Sequence, residues 1–264
     1  MLKAIIKYNF LLMLLLIPIS GMAEEKNKLV KIKLPDASIY KGKLDAKGLL
    51  SGKGTLTWST GTIYEGYFLN GLMHGEGRLS YKNGSGDFGV FKEGVISKGT
   101  VKYQSGTIMK GNFVDGELNG SGEIIYANGD KYKGKVKSGQ EHGSGKYVLK
   151  NGDVIEGDFN NGLLYGEAYI KYSIGGSFRG TFVDGVKQGK GVLIYSNGDK
   201  YDGDFKNDNE EGYGVYTRVI GDIYKGFFKR GEFHGKGKYT RKNGHTSEGY
   251  FSYGAYVGKT PKAK

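Results

Sequence analysis

The chain has 264 residues, of which 48 are glycine, 21 tyrosine and 13 phenylalanine, and its formal net charge is +12. It contains no cysteine, which excludes disulfides and a thiol nucleophile. The basic excess favours anionic partners such as lipid headgroups or acidic polymers. A solvated surface is the other interpretation, because acidic residues are interspersed with the basic ones.

The N-terminus has the pattern of a secretory signal peptide. Two lysines precede an apolar run at residues 10–19, and residues 20–23 supply the small residues of a cleavage site. We therefore predict that residues 1–23 are a signal peptide cut after Ala23, and that an exported, bacterial protein is secreted or periplasmic. Retention as an uncleaved anchor is the alternative, although the apolar run is shorter than the ~20 residues of a membrane span.

Residues 24–37 are predicted to lead into the main part of the chain. Leu29, Ile32 and Leu34 belong to a short run that Pro35 ends. Such a run predicts a strand that covers the exposed edge of the first hairpin.

From there on, one glycine recurs every 22 to 24 residues. A fixed period of this size is typical of repeat architectures. The ten positions are Gly42, Gly66, Gly89, Gly111, Gly134, Gly157, Gly180, Gly203, Gly226 and Gly249.

Each unit is predicted to be a β-hairpin. In the second unit, Tyr64, Gly66 and Phe68 alternate with a period of two, and residues 75–81 continue that period, so two strands are expected. Gly71 marks the turn between them. After the second strand comes an Asn-Gly pair, which supplies the positive φ of a tight turn; such pairs occur at residues 83–84, 128–129, 151–152, 197–198 and 243–244.

The glycines within the strands lie on the same face as the tyrosine and phenylalanine columns. Glycine weakens a strand, so its repeated use needs a reason. We expect each missing side chain to leave room for a ring from a neighbouring hairpin.

The segment Tyr132-Lys133-Gly134, with Gly139 and Gly143-Ser144-Gly145 after it, resembles the MORN repeat (membrane occupation and recognition nexus), as do residues 64–77 and 224–237. The resemblance implies an all-β fold at about residues 38–258: an elongated, single-layer antiparallel β-solenoid or ribbon of about ten stacked hairpins, twisted and curved. It also implies protein–protein contact, self-association or membrane-lipid contact, and no activity of its own. Asp87, Ala168 and Asp208 depart from the pattern. Residues 259–264 form a basic tail.

No residue pattern indicates a reaction. His74, His142 and His234 share one column, but repeats are about 10 Å apart and these three are not adjacent, so they cannot share a zinc ion. Residues 84–89 match G-x-G-x-x-G without the helix that a dinucleotide site needs. We therefore expect no enzyme, catalytic residue, metal or cofactor.

The aromatic columns are expected to form the core, a binding surface, or both, because a single layer hides neither face. The residues in question are Tyr132, Phe159, Phe178, Phe182, Tyr201, Phe205, Tyr224 and Phe228. The opposite face also turns apolar in the central and late repeats, which predicts a contact there with a partner or a second copy. Its members are Ile125, Val148, Val192, Ile194, Tyr213 and Val215.

The leading hypothesis is a non-enzymatic repeat scaffold that binds another protein or itself in the cell envelope or outside the cell. The alternative is a peripheral envelope protein that binds anionic lipid or cell-wall polymer through basic residues and exposed rings. Salt should weaken binding to anionic lipid or polymer far more than binding to another protein through an apolar contact. We expect no nucleic-acid partner for an exported chain.

Overall fold

The structure, a computed structural model, describes residues 28–260. This part of the chain consists of 21 β-strands joined by turns, without helices. It therefore offers no helix that could cross a membrane. The predicted signal peptide and most of the basic tail lie outside the described residues. The chain divides into two compact units, Met1–Gly99 and Thr100–Lys264.

The first unit is an antiparallel meander in which each strand from β1 to β6 pairs with the next along the chain. Strand β1 lies against the first hairpin, with Ile32 opposite Tyr40. Strand β7 begins in this unit and ends in the second. The strands are β1 (Val30–Lys33), β2 (Ile39–Leu44), β3 (Leu50–Thr57), β4 (Ile63–Leu69), β5 (Leu72–Ser80), β6 (Gly86–Lys92) and β7 (Val95–Lys102).

The second unit continues the same pattern from β8 to β21, again with antiparallel neighbours throughout. Its strands are β8 (Ile108–Val114), β9 (Glu117–Ile125), β10 (Lys131–Lys137), β11 (Gln140–Val148), β12 (Val154–Asn160), β13 (Leu163–Lys171), β14 (Ser177–Val183), β15 (Val186–Ile194), β16 (Lys200–Lys206), β17 (Asn209–Thr217), β18 (Ile223–Lys229), β19 (Glu232–Thr240), β20 (Thr246–Ser252) and β21 (Ala255–Gly258). The predicted all-β class and hairpin architecture are confirmed.

Most hairpins align two glycines directly opposite one another, whereas in β12–β13 Gly157 faces Ala168. Gly66 pairs with Gly77, and Gly77 pairs in turn with Gly89 of the next hairpin. Because side chains alternate across a strand, these glycines share a face with the residues two positions away. A row of glycines therefore crosses the strands of each unit on one face.

The ring that occupies this row belongs to the same hairpin, not to a neighbour. A Cβ atom at Gly66 would lie 2.5 Å from the hydroxyl oxygen of Tyr64, and one at Gly77 would also overlap the Tyr64 ring. The hydroxyl of Tyr64 donates a hydrogen bond to the carbonyl of Tyr67 at 3.0 Å. The expectation that a neighbouring hairpin fills the gap was wrong, because the tyrosine folds over its own glycine pair and finds a backbone acceptor there.

Neighbouring hairpins meet instead through the phenylalanine column. Phe228 packs edge to face on Tyr224 of its own strand at 5.3 Å and on Tyr201 of the preceding hairpin at 4.7 Å. Tyr224 then receives Phe251 from the following hairpin at 5.0 Å. Each such pair contributes about 0.5–1.5 kcal/mol beyond burial, so the alternation of Tyr and Phe joins one hairpin to the next.

The two ends of the hairpins use different turns. At Asn70-Gly71 both residues have positive φ, 52° and 81°, as a two-residue type I′ turn requires. At the other end, only the glycine of the Asn-Gly pair has positive φ, as in Gly84 at 82°. There Asn83 instead accepts a hydrogen bond from the N–H of Ser85 at 3.0 Å.

Candidate binding surface

The eight rings predicted as core or binding surface all lie on the glycine-row face. Their exposed fractions are between 0% and 6%, so they form the core of the second unit and present almost no area to a ligand. The structure therefore assigns Tyr132, Phe159, Phe178, Phe182, Tyr201, Phe205, Tyr224 and Phe228 to the core, not to a surface. We call this side of the sheet the ring face.

The other side, which we call the open face, carries the six apolar residues predicted to contact a partner. Tyr213 is 50% exposed, Ile194 40% and Val148 36%, while Ile125, Val192 and Val215 are half-buried. They do not form one continuous patch. Val192, for example, lies between Arg179 and Asp202 in the strand register.

The structure adds a residue that sequence reasoning missed. Phe227 is 49% exposed and directly opposite Tyr213 across β17 and β18, with the two rings edge to face at 5.7 Å. Its position follows the repeat glycine Gly226. In most repeats that position holds a polar residue or a valine. The aromatic residue at this position could therefore have identified Phe227 as a candidate surface residue from the sequence.

Shallow depressions lie on the open face above the glycine row. One has a volume of about 510 Å³ and is floored by Gly54, Gly66 and Gly77. Lys53, Glu65, Tyr67, Glu76 and Arg78 complete its lining together with Thr55. The floor of the depression is glycine backbone, and the longer side chains on either side form its walls.

Several charges on the open face are paired across neighbouring strands. The ion pairs of the second unit include Lys146 with Glu156 at 2.8 Å and Lys190 with Asp204 at 2.7 Å. Their side chains are more than a third exposed, so each pair contributes no more than about 1 kcal/mol. The ion pairs therefore determine the local charge pattern of the open face and add little to the stability of the fold.

Aspartates in the Asn-Gly turns join successive repeats. The carboxylate of Asp199 accepts a hydrogen bond from the backbone N–H of Val219 at 2.8 Å and from the hydroxyl of Tyr216 at 2.6 Å. The Tyr216 hydroxyl and the Val219 N–H favour the carboxylate and lower the pKa of Asp199. Asp130, Asp153 and Asp222 each accept a backbone N–H from the next turn in the same way, at 2.7–3.0 Å.

Two carboxylates replace apolar residues on the ring face. Glu141, 7% exposed, stands where Leu118 and Leu164 stand in neighbouring repeats, and it accepts hydrogen bonds from the hydroxyls of Tyr126 and Tyr147. Burial, followed by this hydrogen bond, raises the pKa of Tyr126. Burial is also the main reason that the pKa of Tyr147 rises to about 12.

The second carboxylate is Glu210, which accepts a hydrogen bond from the hydroxyl of Tyr195 at 2.6 Å. Burial and this bond raise the pKa of Tyr195. Neither cluster contains a nucleophile activated by a base, since the raised pKa values of the three tyrosines favour their protonated form. The two clusters therefore act as polar parts of the core.

Two non-histidine members of the histidine column bind the next type I′ turn. Asn119 in this column accepts a hydrogen bond from the N–H of Ser138 in the next turn, and Glu211 accepts one from Arg230, both at 3.0 Å. His142 lies in the same column and buries its Nδ1 atom without a partner. Within residues 28–260, no group of three or more His, Cys, Asp or Glu side chains is arranged to hold a metal ion.

Asp87 takes the place of the core tyrosine in the third repeat. Its side chain is half-buried, and burial raises its pKa from 3.8 to about 6. No ring covers the glycine that follows it: a Cβ at Gly89 would meet only backbone atoms. The third repeat thus has a carboxyl group at a position where eight of the other nine repeats have an aromatic or apolar residue and the tenth has Ser247.

The tyrosine over a glycine pair, the phenylalanine between hairpins and the glycine turns define a class of tandem β-hairpin repeat proteins. The chain belongs to the MORN-repeat family. The family model matches residues 46–63, 64–86, 110–131, 132–154, 178–200, 201–223 and 224–246, more than half of the chain. The two stretches left between matches begin after residue 86 and after residue 154, where Asp87 and Ile155 replace the aromatic residue.

No curated protein matches the chain in sequence. Solved structures that match in a structural comparison include the TCP domain of Drosophila melanogaster SAS-4 in complex with a proline-rich motif of Ana2, with 13% identity over 64% of this chain and 86% of that one and a TM-score of 0.36. The TCP10 domain of Danio rerio CPAP, in complex with a peptide of STIL, has 12% identity over 83% and 97% and a TM-score of 0.31. A virginiamycin B lyase from Staphylococcus aureus with quinupristin has 10% identity over 86% and 75% and a TM-score of 0.15.

Proposed function

We propose that this chain is a non-enzymatic scaffold that is exported and binds another protein through the open face of its repeats. The observation that carries the proposal is the difference between the two faces. On the ring face, the Tyr and Phe rings of the repeats are buried in the core. On the open face, Tyr213, Phe227 and Ile194 are between 40% and 50% exposed. Exposed aromatic and aliphatic side chains on a regular surface are typical of protein contacts.

The export part of the proposal rests on the N-terminal sequence. The lysines, the apolar run and the small residues before residue 24 have the order of a cleavable signal. The cysteine-free composition is compatible with an oxidising compartment, because the fold has no thiol that could form wrong disulfides. A fusion of residues 1–28 to a reporter that is active only after export tests this part directly; a fusion that is made but stays inactive in the cytoplasmic fraction would contradict it.

The binding part is tested by capture from the exported or envelope fraction with immobilised chain lacking residues 1–23. We expect a protein to be retained at both ~0.1 M and ~1 M salt, because an apolar contact is not screened. Ile194→Asp, which places a charge on the open face, should reduce retention. Ile174→Asp, which places the same charge at an exposed residue in a turn, serves as the control.

The alternative partner, anionic lipid or cell-wall polymer, predicts the opposite salt response. The net charge of +12 is the observation that favours it. Binding of vesicles or polymer that disappears at ~1 M salt, together with capture of no protein at either salt concentration, would replace the protein-scaffold proposal by this one.

A further inference from the structure

One part of the open face combines exposed aromatic rings with lysine side chains. Strands β17 to β20 bring together Tyr213, Val215, Lys225, Phe227, Lys236 and Tyr250, which we call the aromatic patch. Tyr213 faces Phe227, Val215 faces Lys225, and Lys236 faces Tyr250 in the strand register. The six residues thus form three cross-strand pairs on the same side of the sheet.

The two lysines of the patch lack acidic partners. Lys225 and Lys236 form no ion pair with any residue in the range 28–260 that the structure describes. Moreover, Lys225 lies directly opposite Lys238, which already pairs with Glu248 at 3.3 Å. Like charges opposite each other on neighbouring strands are unfavourable, so an external anion beside Lys225 would relieve a repulsion built into the sheet.

The first unit contains a natural comparison. Tyr67 occupies the position of Phe227 in the second repeat and is equally exposed, at 49%. Its surroundings are electrically balanced, since Lys53 and Arg78 are accompanied by Glu65 and Glu76 around the same depression. A similarly exposed ring therefore occurs once with a positive surplus and once without, although the residue opposite Tyr67 is Lys53 and the residue opposite Phe227 is Tyr213.

We propose that the aromatic patch binds an acidic, extended segment of a partner protein that carries apolar side chains between its carboxylates. This deepens the scaffold function proposed above and rests on it. The apolar side chains contact Tyr213 and Phe227, and the carboxylates lie beside Lys225 and Lys236. Four strands at about 4.8 Å spacing make the patch about 14 Å wide, the length of roughly four extended residues.

The carboxylates around the patch favour a narrow ligand over a flat one. Asp202 and Asp204 on β16 and Glu248 on β20 flank it on both sides. Each of these carboxylates is paired with a lysine, so the flanks add little net charge, and a flat anionic membrane would gain attraction only over the patch itself. A single acidic segment reaches the lysines without covering the flanks, so the charge pattern selects a peptide.

The test uses the full chain without residues 1–23 and a fluorescent peptide in which aspartate alternates with leucine or phenylalanine, with binding followed by anisotropy. We expect Phe227→Ala and Tyr213→Ala each to weaken binding about tenfold, the effect of losing a central aromatic contact. Lys225→Gln combined with Lys236→Gln should weaken binding and reduce its dependence on salt. Tyr67→Ala, the matched control, should leave the affinity unchanged, and thermal unfolding of every variant checks that the fold is retained.

Several results would overturn the assignment: no binding of the acidic peptide, equal binding of a peptide with lysine in place of aspartate, or an equal loss in Tyr67→Ala and Phe227→Ala. Vesicles rich in phosphatidylglycerol, or an acidic glycan such as polygalacturonate, that bind with the same variant dependence while the peptide does not would replace the peptide by that ligand. If Phe227→Ala still captures the protein, the assignment of the aromatic patch is contradicted, but the proposed scaffold function is not. Absence of any captured protein removes the scaffold function itself.

Discussion

Asp199 and Val219 lie in successive Asn-Gly-type turns, 20 residues apart, and the carboxylate of the first accepts the backbone N–H of the second at 2.8 Å. Asp199 is 5% exposed and also accepts the Tyr216 hydroxyl, so it joins two repeats at a buried position. We predict that Asp199→Asn lowers the free energy of unfolding by about 1–2 kcal/mol, as expected when a buried charge-assisted acceptor is weakened. Chemical denaturation at neutral pH measures this, with the exposed Asp202→Asn as a control that should change little.

The same residue predicts a pH dependence. The folded state lowers the pKa of Asp199 below its usual 3.8, so its stabilisation is present above pH 3.8 and is lost as the pH falls through the folded pKa. The stability difference between the native chain and Asp199→Asn should therefore shrink below pH 3.8. A difference that stays constant down to pH ~2 would show that the carboxylate charge has no part in joining the turns.

Asp87 predicts the opposite trend. Its pKa is raised to about 6, so the folded state binds a proton more tightly than the unfolded state, and stability falls as the pH rises from 3.8 to 6. Asp87→Asn should remove this dependence and stabilise the first unit at neutral pH by up to about 3 kcal/mol. Thermal unfolding between pH 4 and 7 checks it; an equally steep decrease in the variant would refute the assignment to Asp87.

The tyrosine and the glycine pair beneath it should behave as one unit. Gly145→Ala places a methyl group against the Tyr132 ring, and we predict a loss of about 1–3 kcal/mol. In the background of Tyr132→Ile the same change should cost much less, because the next repeat combines Ile155 with Ala168 in these two positions. A double-mutant cycle in denaturant measures the coupling, and strictly additive effects would contradict the packing described here.

The Glu141 carboxylate is the hydrogen-bond acceptor of two tyrosine hydroxyls in the core. Glu141→Leu restores the residue type of Leu118 and Leu164 but leaves the hydroxyls of Tyr126 and Tyr147 without their acceptor, so we predict a net loss of about 1–2 kcal/mol. Adding Tyr126→Phe and Tyr147→Phe should recover that loss, since the polar groups are then removed together. If the triple variant were as unstable as Glu141→Leu alone, the cost would come from packing and not from the hydroxyl groups.

Much of the fold could be predicted from the sequence, since spacing alone places Tyr64, Gly66 and Phe68 on one face and marks Gly71 as a turn. The direction of the ring could not be predicted, because Tyr64 can reach either its own glycine pair or a neighbouring one at the same spacing. The Asp199 contact was also missed: it depends on the distance between two turns that are 20 residues apart in sequence. Of the candidate surface, Tyr213 was predicted and Phe227 was not, since cross-strand register decides which exposed rings meet.

The central claim is that the ring face is closed and the open face is accessible, and the cysteine-free chain allows this to be measured with single cysteines. Ile194→Cys lies on the open face at a position that is 40% exposed, and Ile124→Cys lies on the ring face at one that is fully buried. Rates of modification by a small maleimide under native conditions should differ on the order of 100-fold or more, with Ile194→Cys the faster. Equal rates at the two positions would contradict the division of the sheet into a core face and a binding face.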